Sequence, residues 1–87
     1  AYLAHHDTLT GLANRARFAE LLTEELPAEP AVLCIDLDRF KAINDLFGHE
    51  TGDRLLQTVA EKLTELAGEG CKIGRLGGDE FAIVVPG

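Results

Sequence analysis

The glycine pair Gly77 and Gly78 imposes the strongest constraint on how this 87-residue chain can fold. The pair lies in the sequence CKIGRLGGDEFAIVV, residues 71–85, between a short mixed segment and a continuous apolar run. Glycine adopts positive φ without strain, as tight turns often require, and the flanking residues have the β-branched and aromatic bias of strands. The segment therefore predicts a β-hairpin with glycines at positive φ in its turn. Asp79 and Glu80 follow directly, so the turn also carries two adjacent carboxylates.

A second apolar run, at residues 31–35, predicts a strand covered on both faces, and this run ends directly at Asp36. Asp36 and Asp38 are two residues apart, so in extended backbone they project to the same side and could share a divalent cation. Alternatively, Asp38 caps the following helix or marks a turn. Asp36 fits that alternative poorly, because an unpaired carboxylate at the end of a buried strand is costly. An EF-hand is excluded, because Lys41 occupies the loop position that requires glycine.

Three helical segments surround these strands in the prediction. Asn14 is a plausible N-cap for a helix that ends near Glu25, and a short helix covers residues 40–47. The clearest helix covers residues 52–67, with Thr51 as its predicted cap. The apolar positions are Phe40, Ile43 and Phe47 in the short helix, and Leu55, Leu56, Val59, Ala60, Leu63 and Leu66 in the long one.

The order of elements is a lead-in helix and loop over residues 1–13, then helix, strand, two helices and hairpin. This order predicts an α/β fold in which helices pack on a sheet. In such a sheet the end of the first strand and the hairpin turn can lie side by side, which would bring Asp36 against Asp79 and Glu80. Mg²⁺ prefers oxygen ligands and is usually held by one or two carboxylates and substrate phosphates. Metal-assisted phosphoryl transfer is therefore the hypothesis that the carboxylates favour, and neither a P-loop nor a dinucleotide-binding motif is present.

The composition argues against other classes of protein. A net charge of −7, from 15 acidic and 8 basic residues, disfavours nucleic acid as a partner. No apolar run approaches the roughly 20 residues of a membrane span, so no direct membrane contact is predicted. We expect a cytoplasmic location, either as a free protein or as the cytoplasmic part of a membrane-anchored one. Cys34 and Cys71 are predicted to be buried thiols, and His5 and His6 lack the partners that a zinc site needs.

Taken together, these motifs resemble the N-terminal half of a GGDEF domain, the diguanylate cyclase family. The family signature occurs letter for letter at residues 77–81. Three further blocks agree in order and spacing: DTLTGLANR at residues 7–15, DLDRFKAIND at residues 36–45 and FGHETGD at residues 47–53. The resemblance covers nearly the whole chain. It implies an α+β, ferredoxin-like sheet of the nucleotidyl-cyclase type with packed helices, here ending after the signature hairpin, so that residues 1–87 form a partial domain.

The resemblance also implies an activity and a metal site. Members of this family condense two GTP molecules into cyclic di-GMP, with Mg²⁺ or Mn²⁺, between two domains that each supply one GTP. By position, Asp36 and Asp79 look like metal ligands, together with the backbone carbonyl of Leu37. Glu80 would assist at the metal, and Asp79 is the candidate for helping to deprotonate the attacking 3′-hydroxyl. A second GGDEF domain, forming a homodimer, is the implied partner.

Further residues are implied to bind the nucleotide. Asn44 and Asp53 would hydrogen-bond the guanine, and Lys41 would contact the triphosphate as a point charge. Phe40 lies close to the nucleotide in this family, and here it fits a core position equally well. Gly77 and Gly78 would supply bare backbone where a nucleotide can lie close.

The chain departs from the family pattern in two respects. Gly68 and Cys71 occupy the positions of the family's R-x-x-D product-inhibition motif, so feedback through that site is not expected. The family domain is also longer than this chain, which predicts a free strand edge and an uncovered apolar face. Two alternatives to a cyclase therefore stay open. One is a GTP-binding regulatory module without catalysis, as in tandems with an EAL domain or a sensory domain, and the other is an inactive half-domain.

Overall fold

The computed structural model describes the backbone of residues 2–87 and the side chains of residues 4–87. Its order of elements is the one that the sequence predicts: helix, strand, two helices and hairpin. The first residue of the predicted lead-in, Ala1, lies outside the described residues. The elements are α1 (Tyr2–His5), α2 (Arg15–Glu25), a 3₁₀ turn (Leu26–Ala28), β1 (Ala31–Asp36), α3 (Phe40–Phe47), α4 (His49–Leu66), β2 (Lys72–Gly77) and β3 (Glu80–Val85).

The three strands form one antiparallel sheet in the order β1, β3, β2, so that β3 is the central strand. Ala31 lies opposite Val85 and Asp36 lies opposite Glu80, which fixes the register of β1 on β3. β2 and β3 form the predicted hairpin, with an irregularity in the register between Arg75 and Gly77. A central strand is covered on both faces, which explains why β3 is a continuous apolar run.

Helices cover the two faces of β3 separately. On one face, Ala82 and Val84 pack against Phe18 of α2. On the other face, Phe81 packs against Leu56 and other residues of α4. Successive residues of a strand point to opposite faces, so each helix covers alternate residues of β3. The sheet therefore lies between α2 and α4, with its most buried residues at its centre.

The structure corrects the prediction for the first strand. β1 is present where the sequence predicts it, but the expectation that both its faces are covered is wrong, because Val32 and Leu33 are 42% and 51% exposed. The reason is that, within the described chain, β1 lies at the edge of the sheet, whereas α2 and α4 pack over the central strand β3. The predicted uncovered apolar face is therefore confirmed. Cys34 is exposed and Cys71 is partly exposed, so the prediction of two buried thiols is also wrong.

The helix ends are partly as predicted. Asn14 caps α2, and its side-chain oxygen accepts from the Arg17 amide at 2.9 Å. The predicted cap at Thr51 is wrong, because α4 begins three residues earlier than its predicted start, at His49. Gly48 has a φ of 92°, a conformation that glycine adopts without strain, and this permits the sharp break between α3 and α4.

Two residues of the predicted apolar stripes are not in the core. Phe47 is 66% exposed and Leu66 is 82% exposed, because both lie at the last residue of their helices. Leu56 and Ala60, in the middle of α4, are 1% and 3% exposed, as their helical spacing predicts.

Candidate active site

The end of β1 and the hairpin turn lie side by side, as the sequence predicts. Asp36 is the last residue of β1 and lies directly opposite Glu80, the first residue of β3. Just beyond this pair, the Leu37 amide donates to the Asp79 carbonyl at 3.2 Å. Residues directly opposite in an antiparallel pair project to the same face, with Cβ atoms about 4.5–5.5 Å apart. The fold therefore brings two of the predicted metal ligands together and holds Asp79 next to them.

These carboxylates have no cationic partner within the described residues. Asp36 and Glu80 are exposed and Asp79 is half-buried, and none of the three takes part in an ion pair with the described arginine, lysine or histidine side chains. Neighbouring like charges repel, so a bound cation would lower the electrostatic energy of this corner. The donor set of carboxylate and backbone carbonyl oxygens fits a hard divalent cation.

The structure does not by itself complete a metal site. Over residues 4–87, no group of three or more histidine, cysteine or acidic side chains is close enough to hold an ion. Mg²⁺ is usually bound by only one or two carboxylates, with water and substrate phosphates as the other ligands. The arrangement at Asp36, Asp79 and Glu80 is compatible with such an open site.

The glycines of the turn do not adopt the predicted conformation. Neither Gly77 nor Gly78 has positive φ, whereas Gly11, Gly48 and Gly70 do. The register irregularity before Gly77 supplies additional bending, so the chain reverses without a left-handed glycine. A Cβ on Gly78 would have no heavy atom within 4 Å, which leaves open space on that side of the turn.

Arg75 fixes this turn from the side of β2. Its Nε and Nη2 atoms donate to the carbonyl oxygen of Gly78 at 3.2 and 2.9 Å. Its Nη1 atom donates to the two carboxylate oxygens of Asp7 at 3.1 and 3.2 Å. Neither residue was predicted from the sequence to have a role in the site. The available signals were the position of Arg75 two residues before the signature and that of Asp7 at the start of the first family block.

Asp7 is the acceptor at the centre of the N-terminal loop. Its Oδ2 accepts from both the amide and the hydroxyl of Thr10, at 2.9 and 2.8 Å. Partial burial acts to raise the pKa of Asp7, but the hydrogen bonds from Thr10 and Arg75 and the charge of Arg75 outweigh it. The pKa of Asp7 is therefore held below its ordinary value, and Asp7 is charged at neutral pH.

A second group of predicted site residues lies where α3 meets α4. Asn44 is half-buried, and its Oδ1 atom is buried without a hydrogen-bond partner among the described residues. The side-chain amide lies against Gly52, and a Cβ there would collide with it. Asp53 follows Gly52 on α4 and is exposed. A buried amide oxygen without a partner costs about 1–3 kcal/mol.

The remaining predicted residues divide between surface and core. Lys41 is exposed on α3. Phe40 and Leu37 are half-buried and pack against the cluster around Leu56, which supports the core position that the sequence allowed for Phe40. The alternative role of Asp38 as a helix cap is wrong, because α3 begins after Arg39 without a side-chain capping hydrogen bond.

Comparisons with known proteins assign the family. Residues 4–87 match the family model described as "Diguanylate cyclase, GGDEF domain". The chain belongs to the GGDEF family. This confirms the resemblance drawn from the sequence, and the α+β fold is confirmed by the structural relatives described next.

The chain is similar to diguanylate cyclases and to GGDEF domains in complex with c-di-GMP. It is 48% identical over 87 residues to diguanylate cyclase DgcN of Escherichia coli, covering 94% of this chain and 21% of that protein. The coiled coil and GGDEF domain of DgcB from Caulobacter crescentus, in complex with c-di-GMP, matches with a TM-score of 0.88 and 36% identity, covering 98% of this chain and 48% of that one. The S helix-GGDEF-EAL region of Vibrio cholerae LapD, bound to c-di-GMP, matches with a TM-score of 0.87 and 25% identity. The match covers 97% of this chain and 22% of that one.

These matches support a role in cyclic di-GMP signalling for the domain to which the chain belongs. The chain spans about half or less of the length of each of these relatives. In the part of the chain that the structure describes, no helix is both long and apolar enough to cross a membrane.

Proposed function

We propose that this chain is part of a diguanylate cyclase domain, which condenses two GTP molecules into cyclic di-GMP with Mg²⁺ or Mn²⁺. The observation that carries the proposal is the pairing of Asp36 with Glu80 beside the backbone contact between Leu37 and Asp79. This pairing places acidic side chains from two distant parts of the sequence at one corner of the sheet. The family match and the names of the relatives support the same reaction.

In this proposal the carboxylates of Asp36 and Asp79 and the carbonyl oxygen of Leu37 would hold the metal. When bound, the metal would neutralise phosphate charge and lower the pKa of the attacking 3′-hydroxyl. Asp79 accepts the proton as the 3′-oxygen attacks the α-phosphate of the other GTP, and pyrophosphate leaves. Glu80, which lies opposite Asp36, would help to hold the metal and so assist catalysis. Two such transfers between two facing GTP molecules close the ring.

The second group of residues is proposed to select guanine. Guanine presents N1–H and N2–H as neighbouring donors, whereas adenine has no donor at either position. The exposed carboxylate of Asp53 is suited to accept from these two groups. The side-chain oxygen of Asn44 has no hydrogen-bond partner among the described residues. A site whose polar groups stay unpaired with the wrong base discriminates strongly against it.

Other residues would position the triphosphate and the sugar. Lys41 is exposed one turn before Asn44 on α3, from where its charge can attract a phosphate. Gly77 and Gly78 contribute bare backbone beside Asp79, and the space beside Gly78 is open to a nucleotide. Phe40 is proposed to shape the site from its place against the core.

We propose that the working site needs two GGDEF domains in a homodimer, each binding one GTP, and that residues 1–87 are part of a larger domain. Cyclic di-GMP contains two guanylate units, and each domain carries one pair of guanine-binding residues. The exposed edge of β1 and the apolar groove beside it, lined by Leu33, Leu63, Ile83 and neighbouring residues, support further packing there. The isolated 87-residue chain is expected to be inactive. Because GTP is a cytoplasmic nucleotide, we place the activity in the cytoplasm.

The test uses the complete protein that contains this chain. The protein is incubated with GTP and Mg²⁺, and cyclic di-GMP is measured by chromatography and mass spectrometry. We expect product from the unaltered protein and none from Asp79→Asn, because the amide cannot supply the charge that the metal and the proton transfer require. Glu24→Gln is the control, since it neutralises an exposed carboxylate on α2 that pairs with Arg17 and has no part in the proposed site. Tight GTP binding without any product would refute the cyclase proposal, and full turnover by Asp79→Asn would refute the proposed role of Asp79.

A second candidate is a regulatory module that binds GTP without converting it. It is favoured by the similarity to the GGDEF-EAL region of LapD, in which a GGDEF domain precedes an EAL domain. In that case GTP would bind to the same residues of this chain, and its binding would alter the activity of an attached EAL or sensory domain. Measuring the phosphodiesterase activity of the complete protein with and without GTP separates the two candidates.

A further inference from the structure

We propose that Arg75 is a positioning residue for the hairpin turn that carries Asp79 and Glu80, and that Asp7 holds Arg75 in place from the N-terminal loop. The inference deepens the proposed function and rests on it, because the turn is the one proposed to hold the metal. The contacts themselves are features of the fold.

The guanidinium of Arg75 bridges two segments that are far apart in sequence. One edge of its fork donates two hydrogen bonds to the Gly78 carbonyl, and the Nη1 atom donates to both oxygens of Asp7. Asp7 lies 68 residues before Arg75. The Arg75 and Asp7 side chains are only 16% and 20% exposed, so this pair is screened less by water and salt than a surface pair.

Among the hydrogen bonds of the described side chains, those from Arg75 reach the turn at the Gly78 carbonyl. Gly78 is exposed, and no heavy atom lies within 4 Å of the position of a Cβ. On the opposite side, the Asp79 carbonyl accepts from the Leu37 amide of the segment after β1. Two consecutive carbonyl groups of the turn are therefore fixed from two sides, one by Arg75 and one by Leu37. Loss of Arg75 would leave one of these two constraints.

The N-terminal loop is itself closed, so Asp7 is a fixed anchor. The amide of Asp7 donates to the Leu12 carbonyl at 2.7 Å, and the amide of Gly11 donates to the Asp7 carbonyl at 2.8 Å. Next to Asp7, the loop is joined to β2 by a hydrogen bond of 2.9 Å from the Arg75 amide to the Ala13 carbonyl. A displacement of this loop would reach the turn directly through the Arg75 side chain.

The geometry requires an arginine and a carboxylate. Arginine presents five donors in a rigid planar fork, and here that fork serves two acceptors in different directions. A lysine ammonium is a compact point charge, so it keeps the attraction to Asp7 but cannot reproduce both contacts. Asp7 also neutralises the positive charge of Arg75 through their ion pair. Without Asp7, that cation would be free to turn toward the acidic side chains of the hairpin and compete with a metal.

The experiment compares Arg75→Lys and Asp7→Asn with the unaltered complete protein. Arg17→Lys is the control, because Arg17 forms an exposed ion pair with Glu20 on α2, away from the turn. Two properties are measured: hydrogen exchange of the amides of residues 77–80 without nucleotide, and kcat and KM for GTP at several Mg²⁺ concentrations. Thermal unfolding of each variant is recorded alongside.

We expect Arg75→Lys to speed exchange at residues 77–80 and to lower kcat by roughly 10- to 100-fold, because misplacement by about 1 Å has effects of this size. The Mg²⁺ concentration needed for half-maximal activity should rise, while KM for GTP changes little. Asp7→Asn should shift the same properties in the same direction by a smaller factor. Arg17→Lys should leave all of them unchanged.

Unchanged exchange and unchanged kcat in Arg75→Lys would overturn the proposal. If Arg75→Lys does not fold, the test relies on Asp7→Asn instead. Unaltered hydrogen exchange at residues 77–80 in Asp7→Asn would then overturn the proposal. A failure of the proposed function looks different. In that case the unaltered protein makes no cyclic di-GMP, whereas the exchange measurement still shows whether Arg75 fixes the turn.

Discussion

Replacing Gly52 by alanine tests the proposed guanine site through a group that does not itself touch the ligand. Gly52 is buried in α4, and a Cβ built on it would collide with the side-chain oxygen of Asn44 and lie 2.8 Å from its Cγ atom. A separation below 3.0 Å forces a shift, and the short side-chain amide is the part that can turn away. The substitution therefore moves Asn44 out of its observed position.

Two opposing effects decide the stability of Gly52→Ala. Alanine is favoured over glycine inside a helix by about 0.5–1 kcal/mol, whereas overpacking costs about 1–3 kcal/mol. Because Asn44 can rotate, the overpacking cost falls at the lower end, and the free energy of unfolding should change by less than about 1 kcal/mol. GTP binding should respond much more strongly. Losing a hydrogen bond and leaving a polar group unpaired costs about 1–3 kcal/mol, or roughly 5- to 150-fold in Kd.

The assay is isothermal titration of GTP and of ATP into the complete protein, with thermal unfolding in parallel. Gly68→Ala is the matched control, because a Cβ on Gly68 meets no heavy atom within 4 Å. We expect GTP affinity to fall in Gly52→Ala and to stay unchanged in Gly68→Ala, with similar unfolding temperatures for both. Unaltered GTP affinity in Gly52→Ala would refute the argument that the position of Asn44 matters for the nucleotide.

Three further predictions follow from single residues. Gly74→Ala should lower the free energy of unfolding, measured in urea, by about 1–3 kcal/mol, because the new Cβ would lie 2.6–2.9 Å from the Phe18 side chain. A stability equal to that of the unaltered protein would contradict the close packing of α2 on β2. The lowered pKa of Asp7 means that its contribution to stability is fully present above about pH 3.8 and is lost as the pH falls through the lower folded-state value. The difference in stability between the unaltered protein and Asp7→Asn should therefore shrink below pH 3.8, and a constant difference would show that the Asp7 charge is not involved. Asp53→Ala should weaken binding of GTP much more than that of ATP in titration calorimetry, and equal losses would remove its proposed role with guanine.

Several features of this protein could be predicted from local sequence alone. The N-cap at Asn14, the interior of α4 and the two strands of the hairpin depend on short-range hydrogen bonds and on the alternation of apolar residues. These signals are contained within a few consecutive positions. The four family blocks were also sufficient to identify the GGDEF family. The pairing of Asp36 with Glu80 was anticipated only as one arrangement that such a sheet permits.

The tertiary structure decided which residues are covered and which distant groups meet. An apolar run has the same sequence pattern in a central strand and in an edge strand, so only the strand order showed that β1 is exposed and β3 is buried. In the same way, glycine permits positive φ without requiring it, and the path of the whole hairpin determined that Gly77 and Gly78 do not adopt it. The bridge from Asp7 through Arg75 to Gly78 spans nearly the whole chain. Sequence fixes the chemistry of each residue and its near neighbours, whereas contacts between distant residues exist only once the sheet and helices have packed.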